Sequence, residues 1–221
     1  MTIDRRAFVL GTPLALAGCA TQPGGFGFGD LSYGSMYGAV SGEPYPVPAI
    51  DVSQVNSQFL RREVTYRTRE RPGTIVVDPR ARYAYLIQGN DKALRYGVGV
   101  GREEGFNFQG NAIIGAKQEW PRWTPTPAMI QREPKRYGPY AGGMNGGPDN
   151  PLGPRALYLY RDGRDTYYRL HGTTEPYTIG TMVSSGCVRF LNQDIIDLYR
   201  RVPVGTKVVV LPIRGGAREM S

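Results

Sequence analysis

Seven short runs of alternating or wholly apolar residues, each closed by turn-forming residues, constrain this chain more than any other feature. They are TIVVD (Thr74 to Asp78), YAYLIQ (Tyr83 to Gln88), ALRYGVGVG (Ala93 to Gly101), NAIIGAKQEW (Asn111 to Trp120), RALYLY (Arg155 to Tyr160), TYYRLHG (Thr166 to Gly172) and TKVVVLP (Thr206 to Pro212). The separators DPRAR, QGND and YRDGRD carry residues suited to tight turns. The pattern predicts hairpins in a mainly β, β-sandwich-like fold. Thirty glycines, 18 prolines and 15 tyrosines in 221 residues favour short strands and turns over long helices. One segment, NQDIIDLYRRVPVG, instead spaces Ile195, Leu198 and Tyr199 at helical intervals, which predicts a short helix with Asn192 as N-cap and Pro203 ending it.

Two stretches stand outside this pattern. Between Trp120 and Pro154 lies a proline- and glycine-rich insertion that interleaves Trp120, Trp123, Met129, Tyr137 and Tyr140. Loops of this length in compact domains are usually functional or disordered, and the aromatic residues favour a lid or substrate wall. Residues 19–50 are rich in Gly, Pro, Ser and Tyr without a period, and read as a tether leading to a domain over 51–221. Ahead of Val64, Tyr66 and Thr68, which alternate as in an edge strand, the chain is charged.

Residues 1–18 read as a signal peptide. Arg5 and Arg6 precede an apolar run from Ala7 to Ala17, too short for the roughly 20 residues of a membrane-spanning helix. The run ends in Leu16-Ala17-Gly18-Cys19, the order of a bacterial lipobox, so Cys19 is the expected lipidation site and the membrane an expected partner. RRAFVL fits a twin-arginine signal or an ordinary positively charged leader. The expected location is the periplasm, anchored in the cell envelope. The net charge is +8, and +7 once residues 1–18 are removed. Such a balance inside a cell would suggest nucleic acid; export argues against that partner and favours wall carboxylates or lipid phosphates.

The only histidine, His171, and one of only two cysteines, Cys187, lie sixteen positions apart in HGTTEPYTIGTMVSSGCVRF. A Cys187 thiol left unpaired by lipidation of Cys19, in an exported protein, points to chemistry; a disulfide between the two cysteines and an inert buried thiol are the alternatives. His171 falls at a strand end, and Gly186 permits a sharp turn that presents the Cys187 sulfur and backbone N–H groups to one point. An imidazole within hydrogen-bond reach would act as base or acid, and an imidazolium partner would lower the thiol pKa, giving a nucleophile. The Ser185, Gly186 and Cys187 amides are candidate oxyanion donors. The Gly172 carbonyl, the hydroxyls of Thr173 and Thr174, or Glu175 would orient the ring. Arg189, Tyr168, Ser184 and Trp123 are the candidate substrate-binding residues, Arg189 either binding a carboxylate or bracing the loop. One histidine and one unlipidated cysteine cannot supply a zinc site without several carboxylates, so no metal is expected. Glu103-Glu104 falls in a solvated turn.

These residues resemble the L,D-transpeptidase catalytic domain (YkuD-type) family of bacterial wall enzymes, whose signature is His-Gly, a spacer, then Ser-x-Gly-Cys, a hydrophobic residue and Arg. Here it reads HGT and SSGCVR, and NPLGPRALYLY, TIG and VPVGTKVVV extend the likeness over roughly Arg71 to Pro212. Many members carry histidine where this chain has Ser185. The resemblance implies that Cys187 attacks the third-residue carbonyl of a peptidoglycan stem peptide, releasing D-Ala as His171 protonates the departing amine. It implies a thioester that an acceptor amine resolves, no cofactor, and inactivation by carbapenems. The acceptor would be another stem (a 3-3 crosslink), an envelope-protein lysine, a D-amino acid, or water, which makes the enzyme an L,D-carboxypeptidase. Another Cys-His wall hydrolase and a non-catalytic wall-binding lipoprotein are the rival readings.

Overall fold

The computed structural model describes residues 33–101, 108–184 and 186–213. Ten strands carry the fold: β1 Arg62–Thr65, β2 Ile75–Asp78, β3 Tyr83–Gly89, β4 Lys92–Gly101, β5 Gly110–Glu119, β6 Arg155–Arg161, β7 Arg164–His171, β8 Met182–Ser184, β9 Val188–Phe190 and β10 Lys207–Val210. Their order is β1-β4-β3-β2-β10-β5-β6-β7-β9, and β9 also pairs with β4, so the strands from β4 round to β9 close on themselves.

The local hairpins follow from turn chemistry. β3 and β4 are joined through Asn90 and Asp91, at φ 50° and 56°, and β6 and β7 through Asp162 and Gly163, at φ 50° and 74°. Two adjacent left-handed residues are what a two-residue type I′ turn requires, and its twist matches that of the strands. The chain departs from successive hairpins at three places. β10 lies parallel to β2, β9 parallel to β7, and β8 parallel to β4. β2 is buried along its apolar length because Ile75 and Val77 face the main core while Val76 packs beneath Val64, Tyr66 and Leu211.

The main core gathers apolar side chains from β2 to β7, β9 and β10, among them Ile75, Tyr96, Leu157, Leu170 and Phe190. The helix α3, Asn192–Arg201, adds Ile195 and Leu198 to it. Leu191 rather than Asn192 is its N-cap, and Asn192 makes no cap bond. Its side chain is engaged elsewhere: Asn192 Oδ1 accepts from the Thr173 backbone N–H at 2.9 Å.

Within the stretch read as a tether, residues 33–50 pack on the domain; residues 19–32, with Cys19 and the signal peptide, lie outside the described residues. Tyr37 and Val47 are buried. Tyr37 donates to Asp194 at 3.2 Å, and Gln193 Nε2 donates to the Gly38 and Pro48 carbonyls at 3.0 and 2.9 Å. Glu43 takes both Nη groups of Arg155, at 2.6 and 2.8 Å, and the Trp120 indole N–H at 2.9 Å. A composition of Gly and Pro conceals these few anchors. No helix among the described residues is long and apolar enough to cross a membrane.

The side chains of Glu43 and Arg155 are each 6% exposed. Burial pushes the Glu43 carboxyl up, but the bonds from Arg155 and Trp120 outweigh it and hold it below the ordinary value. Glu43→Ala leaves the Arg155 charge buried without its main partner, a loss of about 3–5 kcal/mol. Thermal unfolding should drop by about 10 °C. The contribution is present above the pKa of an unfolded glutamate and is lost as pH falls through the lower folded value. The difference between wild type and variant in thermal scans should therefore shrink on acidification.

Candidate active site

β7 and β9 pair in parallel, Leu170 against Val188 and His171 against Arg189. Leu170 and Val188 enter the core, so strand alternation puts His171, Arg189 and, two residues back, Arg169 on the opposite face. Cys187 precedes the ladder at the level of Arg169. Four groups from two separated segments meet here because one short ladder registers them.

His171 is 5% exposed. Its Nδ1 lies 2.6 Å from the Gly172 carbonyl oxygen. A carbonyl only accepts, so Nδ1 carries the proton and the neutral ring keeps its lone pair on Nε2. Thr173 and Glu175 are not the ring's partners: Thr173 Oγ1 accepts from the Glu175 N–H, and Glu175 bonds Arg189. Gly172 must be glycine, since a Cβ there would lie 2.9 Å from Pro154 Cδ and would overlap Asn192 Oδ1. Asn192 thus fixes the loop that supplies the ring's acceptor.

Burial, then the charges of Arg189 and Arg169, push the His171 pKa down to about 3, against the opposing pull of the Gly172 bond. Burial raises the Cys187 thiol, more than the Arg169 N–H and the charges of Arg169 and Arg189 lower it. Both directions favour a neutral thiol beside a neutral imidazole over the expected thiolate held by an imidazolium: burial disfavours the charged form of each group, and the two arginine charges add to that at the ring while opposing it at the sulfur. One hydrogen bond of the thiol runs to the Tyr167 carbonyl at 3.9 Å.

The thiol partner comes from an irregularity. Between Tyr158 and Tyr160 of β6, opposed by Arg169 and Asp165 of β7, the register slips, and Tyr167 adopts φ 62°. Tyr167 stands 79% exposed there. Tyr168 packs on the core and on Phe108 with ring centroids 5.5 Å apart, and its phenol pKa, raised first by burial, also feels the charge of Cys187. Arg169 is clamped by both Asp165 oxygens at 2.7 Å. Gly186 has φ 125°, a conformation that L side chains rarely adopt, which accounts for glycine before the cysteine. Ser185 and Glu103-Glu104 lie outside the described residues, and of Ser184 only its strand pairing to Gly101 is described.

The insertion holds two helices, α1 Pro127–Arg132 and α2 Pro134–Tyr137. Its ends are gathered by buried Asn150, which donates to the Pro121 and Asn145 carbonyls at 3.0 and 3.1 Å. Trp123 packs on Tyr137 and Tyr140 inside the insertion, both at 6.1 Å between centroids. Contact with the site comes instead from Arg136, whose Nη2 is 3.6 Å from Glu175 Oε1. Nothing in local sequence marks Arg136, Asp165 or Asn192, because each acts on a partner far along the chain or across a bulge. No cluster of three or more His, Cys, Asp or Glu side chains that could hold a metal occurs among the described residues.

The sequence profile of the L,D-transpeptidase catalytic domain (YkuD) matches residues 72–210. This chain belongs to that family. The probable L,D-transpeptidase ErfK/SrfK of Escherichia coli K12 is 35% identical over 144 residues, 64% of this chain and 44% of the relative. The probable L,D-transpeptidase YbiS of the same organism is 34% identical over 139 residues, 62% of this chain and 43% of its own. The chain therefore spans less than half the length of these two relatives. A solved Brucella melitensis structure, named a probable carnitine operon oxidoreductase, is 50% identical over 73% of this chain and 99% of its own, with a TM-score of 0.49. The family match encloses β2 to β10 and both His171 and Cys187.

His171 is the sole histidine, so its ring protons give one unambiguous magnetic-resonance titration in the untagged chain. The midpoint should lie at about 3, far below the roughly 6.5 of an unfolded histidine. Because the unfolded ring binds a proton over that window and the folded ring does not, this group's contribution to stability falls as pH falls through it. A midpoint at or above the ordinary value would contradict the neutral pair.

Proposed function

We propose that the chain is a peptidoglycan L,D-transpeptidase with Cys187 as nucleophile and His171 as proton shuttle. The observation that carries this is the Nδ1 to Gly172 bond, which leaves a base lone pair on Nε2 of the ring registered beside the cysteine strand. On arrival of the scissile carbonyl, the thiol leaves the Tyr167 oxygen by a side-chain rotation. Sγ bonds to the carbonyl carbon as its proton passes to Nε2, and the Gly186 and Cys187 amides, with Ser185, receive the oxyanion. Collapse breaks the C–N bond, and Nε2 returns the proton to the departing D-Ala amine. The acceptor amine then attacks the thioester, gives a proton to Nε2, and the Cys187 sulfur leaves as the thiol. No step requires a metal or organic cofactor.

Such chemistry belongs outside the cytoplasm. The arginine pair, apolar run, small residues and Cys19 support export, lipid anchoring and attachment to the cell envelope. Arg189 lies two positions past the nucleophile, about 7 Å along the strand. It suits an anionic stem peptide, and nucleic acid is not a proposed partner.

Incubation of the chain with a purified disaccharide tetrapeptide, followed by product mass spectrometry, tests the reading. A crosslinked dimer together with free D-Ala is expected, and an envelope-protein conjugate if a lysine acceptor is supplied. Cys187→Ala should abolish turnover, and His171→Gln should lower it by at least about a hundredfold. A tripeptide with no dimer in any acceptor would make the chain a carboxypeptidase. Intact substrate and no covalent adduct would leave only a wall-binding role.

A further inference from the structure

Glu175 shares its carboxylate between two guanidinium groups. Oε2 meets Arg189 Nη1 at 2.7 Å, and Oε1 faces Arg136 Nη2 at 3.6 Å. Arg169, the other cation on the His171 face, is matched by Asp165. Glu175 therefore faces two cations, Arg189 near Cys187 and Arg136 of the insertion, and Arg136 also faces Glu133 Oε2 at 3.5 Å. Among the described residues the Arg189 guanidinium has only the Glu175 bond, so its remaining N–H donors stay available. Arg136 is held loosely: its side chain is 58% exposed, and its pairs to Glu133 and Glu175 are 3.5 and 3.6 Å long. Exposed pairs of this length contribute little and open readily.

We propose that Arg136 of the insertion and Arg189 of β9 form a carboxylate subsite, bridged at rest by Glu175, that reads the carboxylate next to the scissile bond of the donor. The inference rests on the transpeptidase reading for the identity of the donor, but the subsite itself is a binding property. A carboxylate one residue beyond the attacked carbonyl falls within reach of a guanidinium about 7 Å along the strand from the sulfur. Arginine's planar fork accepts it through paired charge-assisted bonds, which a carboxamide cannot reproduce. Arg136 reaches the same carboxylate from the insertion, so ligand and lid are drawn to one point. Neutralising Arg189 also removes one of the charges that keep His171 from accepting a proton. The charged groups that act on that ring are Arg189 on β9 and Arg169 on β7, whose own partners are Glu175 and Asp165.

N-acetyl-D-alanine and N-acetyl-D-alaninamide probe the subsite in the full chain without turnover, through saturable shifts of the His171 ring signals. The acid should bind at least about tenfold more tightly than the amide, the scale of one charge-assisted bond. Arg136→Ala should reduce that preference and Arg136→Lys restore part of it, while thermal stability stays at the wild-type value. Equal binding of acid and amide, or a preference unchanged in Arg136→Ala, would overturn the subsite. Tetrapeptide donors ending in D-alanine or D-alaninamide then give the kinetic counterpart, with discrimination expected in wild type and reduced in Arg136→Ala. Failure of acyl transfer with both donors would count against the transpeptidase reading and leave the binding result standing.

Discussion

The two-residue parallel ladder between β7 and β9 is the contact on which the site depends. Leu170 and Val188 bury on one side of it, and that burial decides which side His171, Arg169 and Arg189 occupy. A slip of one residue would send the imidazole into the core and a leucine into the cleft. The register is secured from both ends. Asn192, on the helix after β9, bonds the loop after β7, and Phe190 anchors β9 in the core against Tyr96 of β4. The chemistry is thus a surface consequence of apolar packing beneath it.

A second constraint is electrostatic. Arg169 and Arg189 stand beside a buried ring and a partly buried thiol, and positive charge on the imidazole is expelled. Asp165 cancels Arg169 locally, while Glu175 divides its charge between Arg189 and Arg136. The result is a site that rests uncharged at its reacting atoms and positively charged at its wall. Further out, Glu43 ties the N-terminal segment to Trp120 and Arg155, at the root of both the insertion and β6. Because Ala156 pairs with His171, that clamp sits one residue from the strand position of the base.

Much of this was legible in the sequence where the cause is local. Alternation located the long strands to within a residue or two, and Asn90-Asp91 and Asp162-Gly163 announced their turns through φ > 0 chemistry. The His171 and Cys187 motif drew attention because each residue type is so scarce. What escaped detection is nonlocal. β8 and β9 have three residues each, too few to show a period, and their parallel partners lie far back in the chain. Asn192 looks like a helix cap, yet its oxygen is worth more to Thr173 across the fold. Composition hid the packing of residues 33–50, where Tyr37, Val47 and Glu43 anchor a stretch otherwise suited to a spacer.

The central claim is that the cysteine and the histidine rest as a neutral pair, so that the thiol is deprotonated only as it attacks. The direct measurement is the rate at which iodoacetamide labels Cys187, resolved from Cys19 by peptide mass spectrometry, from about pH 5 to about pH 10. The account predicts labelling that stays slow through neutrality and rises only above the ordinary thiol range, in keeping with the raised thiol pKa. Rapid labelling that is already at its plateau near the low end of that range would mean a preformed thiolate and imidazolium, and would contradict it.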